Sequence, residues 1–184
     1  MTWKRPLAAV IALIAVAGTV VGSVLETGVP VPLSQWLFAM AGLPLPGLGW
    51  LIASRRPANP YGWLMLATAA CFGLGGAGVG YLLYAARNGA TGPELGLAVV
   101  ASSLFGAYYG LVWIFIPLLF PDGRLPSPRW RPLAWAGGAC ITVRAVGIVL
   151  TPGSLDSDVP LANPLALSGT AGSVALRWPP SPRS

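Results

Sequence analysis

Residues 120–132, FPDGRLPSPRWRP, place three arginines, an aspartate and four prolines between two long apolar runs. Pro121-Asp122-Gly123 is strong turn chemistry, because proline presets φ, aspartate bonds its own downstream backbone and glycine accepts positive φ. The apolar helix before it must stop there. Arg124, Arg129 and Arg131 set permanent positive charges directly beside hydrophobic segments, which in a membrane protein marks the cytoplasmic side. A second island, residues 55–63 (RRPANPYGW), repeats the pattern: Arg55 and Arg56 end one run, prolines interrupt the helix, and Trp63 suits the headgroup region.

Islands this sparse leave the chain with little polar material. Only 9% of its 184 residues are charged and mean hydropathy is +0.70, whereas about a quarter of a soluble domain is charged. The reading is an all-α integral membrane protein. Its formal charge of +6 does not indicate a nucleic-acid partner, because the arginines sit at the ends of apolar runs where orientation signals belong. Cys71 and Cys140 lie far apart inside apolar runs, so neither a C-x-x-C motif nor a disulfide is expected, and both read as small packing residues. The chain has no histidine, hence neither the commonest general base nor the commonest metal ligand. Asp156 and Asp158 are its closest acids, and no paired-carboxylate site is built from them. No catalytic residue, cofactor or metal is expected.

Apolar runs over 7–24, 33–54, 62–87, 97–120 and 133–150 predict a bundle of about five transmembrane helices. Each is near the length needed to cross a hydrocarbon core of about 30 Å. Basic residues before the first run (Lys4, Arg5) and the alternation of charge in the loops place the N-terminus on the cytoplasmic side of a cell membrane, with a multi-pass chain across it. Pro44 and Pro46 should break or kink the second span. Gly18 and Gly22, and Gly76 and Gly80, have the small-xxx-small spacing that lets helices approach closely. Gly73, Gly75 and Gly78 formally match G-x-G-x-x-G, but no strand precedes them and they lie inside a span, so packing is preferred to phosphate binding. Hydroxyls of Ser102, Ser103, Tyr108 and Tyr109 are expected to bond nearby backbone or helices.

Arg144 stands inside the fifth run. An intramembrane charge is a functional candidate, although its stem could snorkel about 9 Å toward residue 150. Residues 151–184 contain several prolines and no further span. They are expected to be a poorly ordered extracytoplasmic or interfacial tail.

R-R-P-A-N-P-Y-G-W-L at 55–64 and L-F-P-D-G-R-L-P-S-P-R-W-R-P at 119–132 resemble the N-terminal multi-span membrane region of a group of bacterial two-component sensor histidine kinases. Ala162-Asn163-Pro164-Leu165 looks like the extracytoplasmic motif before the final span of that group. The resemblance covers about residues 33–168. It implies signal input through the membrane, with a cytoplasmic dimerisation helix and ATP-binding domain to follow. This chain lacks the phosphoacceptor histidine and those domains, and five spans from an inside N-terminus leave residue 184 outside. A truncated or frame-shifted kinase product is the expectation. The loop residues of interest are Arg55, Arg56, Asn59, Trp63, Asp122, Arg124, Arg129, Trp130 and Arg131, with an Asp122–arginine pair as one device and a self-contained Asp122 turn as the other. The expected partners are the lipid bilayer and either a second copy or a homologous kinase, met through the glycine-lined helices. A transporter is the remaining alternative, suggested by the broken second helix and Arg144.

Overall fold

A computed structural model describes residues 3–27, 33, 37, 40, 42–151, 154–156 and 159–166. Within them run α1 (Lys4–Leu25), α2 (Pro44–Arg55), α3 (Pro60–Asn88), α4 (Glu94–Leu118) and α5 (Arg131–Leu150). A 3-10 turn, Pro128–Trp130, leads into α5. By length and composition α1, α3, α4 and α5 can each cross a membrane.

The second apolar run departs from expectation. Pro44 opens α2 rather than kinking a longer helix, because a proline at the first helical position has no hydrogen bond to lose. At 12 residues α2 is about 18 Å long, too short to span by itself. Most of the expected first half of this span lies outside the described residues. The guanidinium of Arg5 at the start of α1 donates from Nε to the Ser54 carbonyl at 3.1 Å near the end of α2. The end of α1 lies at the other end of the bundle, where Arg87 of α3 donates to the Leu25 and Thr27 carbonyls at 2.5 and 2.9 Å. Among the described helices, α2 and α4 therefore run back toward the end at which α1, α3 and α5 begin.

α3 is central. α1 runs parallel to it on one face and α4 antiparallel on another, so the glycines from 73 to 80 serve both neighbours. A Cβ on Gly18 would lie 2.6 Å from the Gly73 carbonyl, and one on Gly22 2.7 Å from the Gly76 carbonyl. A Cβ on Gly75 would lie 2.7 Å from the Phe105 backbone nitrogen, and one on Gly78 2.5 Å from that of Ser102. All these residues are helical, so the G-x-G-x-x-G match is a two-sided packing surface. α5 packs mainly on α4, through Gly110 against Ile141 and Gly137 against Ile114.

Pro117 leaves its mark on α4. Unable to donate to the Trp113 carbonyl, it follows a π segment, Leu111–Phe115, in which the wider turn accommodates the ring. Ser102 and Ser103 donate to the Val99 and Val100 carbonyls of their own helix at 2.8 and 2.7 Å. Among the described residues no buried side-chain polar atom lacks a partner.

The expectation of a poorly ordered tail is corrected for its first part. β1 (Ser154–Asp156) and β2 (Val159–Ala162) form an antiparallel pair with an irregular register. Leu161 packs on Leu82, Ala85, Leu95, Ala98 and Val99, between α3 and α4. Asn163 holds the hairpin to α5: its amide donates to the Val149 and Thr151 carbonyls at 2.9 Å each, and its Oδ1 accepts from the Leu165 backbone at 2.9 Å. Carbonyls left over at a helix C-terminus need such donors. Residues 167–184 lie outside the described part.

Candidate functional site: two arginine-bearing loops joined at one end

The first loop is shaped by its own backbone. Asn59 caps α3, its Oδ1 accepting from the Tyr61 N–H at 2.9 Å, and Pro60 follows at the first helical position. Trp63 turns back and donates from Nε1 to the Pro57 carbonyl at 3.2 Å, while its ring packs on the Ala8, Ala53 and Leu66 cluster. Asn59 and Trp63 are thus structural members of the loop. Arg55 and Arg56 are exposed.

The second loop closes on the first. Gly123 has φ of +70° and donates to the Leu119 carbonyl at 2.7 Å. A Cβ at Gly123 would lie 2.5 Å from Pro60 Cγ and 2.6 Å from the Tyr61 nitrogen, so the turn rests on the first residues of α3. Glycine is needed here twice over, for the positive φ and for the close approach. Phe120 adds an edge-on contact with Tyr61 at 5.7 Å between ring centroids. The two segments that carry the resemblance are one structural unit.

Asp122 does not join them. It is exposed and makes no ion pair among the described residues, so Pro121-Asp122-Gly123 holds the loops by turn geometry rather than charge. Arg124, Arg129, Trp130 and Arg131 are also exposed. With Lys4, Arg5, Arg55 and Arg56 the arginines make this the basic end, while Glu26, Glu94 and Asp156 lie with Arg87 at the other. Tyr61, Phe120 and Gly123 carry the junction, and only Gly123 had a sequence signal, through its turn.

The glycines named from sequence are distributed unequally. Gly18, Gly22 and Gly80 face backbone of the opposing helix, whereas a Cβ at Gly76 would meet nothing within 4 Å. Gly76 receives Gly22 through its backbone alone. α1 and α3 pack on each other through these glycines within one chain, leaving the open side of Gly76 uncovered.

Arg144 sits deeper than its distance from residue 150 suggests. A Cβ on Gly106, the midpoint of α4, would lie 2.9 Å from Arg144 Nε and 3.6 Å from Ile148 Cδ1. With Gly110 opposite Ile141 and Gly137 opposite Ile114, Leu150 falls about 10 Å short of the Glu94 end of α4. The hairpin fills the remaining corner. Reaching toward Leu150 therefore does not bring the guanidinium to the end of the bundle. Cys140, read from sequence as a packing residue, is exposed one turn away. Comparison of the chain with models of protein families, with characterised proteins and with solved structures finds no match.

Proposed function

We propose that this chain is a membrane-embedded signal-input region of the kind that feeds a cytoplasmic histidine kinase. The observation that carries the reading is the seating of Gly123 on Pro60 and Tyr61, because it unites the two motif-bearing loops at the basic end. In this reading that end is cytoplasmic, as the positive-inside rule requires. The third motif supports the same division of labour at the other end, where Asn163 fastens the hairpin to α5. A signal that moves the hairpin would shift α5 along α4 and load the loop junction.

The test joins this region, through an added sixth span, to the kinase core of a two-component sensor in liposomes. Gly123→Ala is expected to change the autophosphorylation rate about fivefold or more, the low end of ordinary coupling energies. An unchanged rate in Gly123→Ala and also in Tyr61→Ala would contradict the reading. A second reading, pairing with a different membrane protein, is favoured by one observation: α5 buries only Gly137, and its Trp135 is 80% exposed. Co-purification of a kinase through α5 would merge the two readings.

A further inference from the structure

The most unusual group in the molecule is the guanidinium of Arg144. It lies level with the midpoint of α4 and has no hydrogen bond or ion pair among the described residues. An arginine is always charged, and a charge at the centre of a bilayer is costly unless it is paired. Of the chain's five acids, Glu26, Glu94, Asp122 and Asp156 fall among the described residues, at helix ends or in the loops and hairpin, and none lies at that depth. Among the described residues no acid of this chain, or of a second copy, supplies a counter-charge at that depth.

The surroundings show what could supply it. Gly106 and Gly110 lower the floor of a groove of about 440 Å³ between α4 and α5, walled by Tyr109, Trp113 and Ile141 with Arg144 at its side. Small-molecule sites have volumes of about 300–1,000 Å³ and combine apolar walls with a few polar groups. A flexible hydrocarbon chain is narrow enough to lie in such a groove.

We propose that this groove binds a membrane-dissolved organic acid, its apolar body lying against Trp113 and Ile141 and its carboxylate paired with Arg144. Guanidinium and carboxylate form two parallel charge-assisted hydrogen bonds, and exclusion of water strengthens them. The proposal rests on the membrane reading of the bundle but not on the kinase resemblance. It makes the ligand a candidate signal, because occupancy bridges α4 and α5.

The experiment titrates the full chain, in nanodiscs of zwitterionic phosphatidylcholine, with oleate and with methyl oleate. Saturable binding of one oleate per chain is expected, weakened at least tenfold in both Arg144→Leu and Arg144→Gln and less in Arg144→Lys, with no saturable binding of the ester. In a Cys71→Ala background, oleate should slow the reaction of Cys140 with N-ethylmaleimide. Undiminished oleate binding in the Leu and Gln variants, equal binding of the ester, or absence of saturable binding would overturn the proposal. So would a transmembrane peptide with one central aspartate that binds through Arg144 and is not displaced by oleate, which would assign the arginine to a partner helix. Rapid labelling of Cys140 by a charged, impermeant maleimide in intact discs would instead overturn the membrane reading beneath it.

Discussion

Asn163 shows how much a single side chain holds. It is 7% exposed and satisfies two carbonyls and one N–H between α5 and the hairpin. Its truncation leaves buried polar groups without partners, at a cost of about 1–3 kcal/mol. Asn163→Ala should therefore lower the midpoint of reversible denaturation in mixed micelles, and Asn163→Asp, which keeps the acceptor but loses the donors, should not restore it. Equal midpoints for wild type and Asn163→Ala would contradict the capping role. Glu26 gives the pH dependence. Burial raises its carboxyl above the usual glutamate range, so the folded state favours the protonated form. Its contribution to stability is present below the ordinary glutamate pKa and is lost as pH rises through the raised value. Unfolding midpoints should fall over that window in wild type and flatten in Glu26→Gln; a slope that survives the substitution would assign it to another group.

Helix packing divides into what the sequence states and what only the folded bundle states. Apolar length located α1, α3, α4 and α5 to within a few residues, because twenty or so predominantly apolar residues have few alternatives to a helix. The glycine spacing pointed to close approach as well. It did not say which glycines have backbone opposite them, since that depends on the relative rotation of two helices. Gly73 faces the Ala15 backbone while Gly76 faces open space. Gly73→Ala should consequently destabilise by roughly 1–3 kcal/mol through overpacking. Gly76→Ala should be neutral or slightly stabilising, because alanine is the better helix former. Equal effects at the two positions, measured by the same denaturation, would reject this rotation of α1 on α3. The loop junction was legible only in part. Pro121-Asp122-Gly123 announced a turn, but local sequence carries no sign that the turn would land on Pro60 and Tyr61, some sixty positions away. The hairpin was hidden because its strands are short and the second contains a proline, and its stability comes from Asn163 and Leu161 rather than from β propensity.

For the molecule as a whole, geometry and charge agree on a two-ended object. Arg5 is bonded to Ser54 at the end holding both arginine-bearing loops, and Arg87 is bonded to the end of α1 at the other. The central claim is that this object lies across a membrane with the joined loops on the inner side. Single cysteines at Ala58, Thr91 and Arg124, in a background with Cys71 and Cys140 replaced by alanine, test it through labelling by an impermeant maleimide in right-side-out and inverted vesicles. The account predicts that positions 58 and 124 react only in inverted vesicles and position 91 only in right-side-out ones. Labelling of 58 and 124 from opposite sides, or of all three irrespective of vesicle orientation, would contradict it.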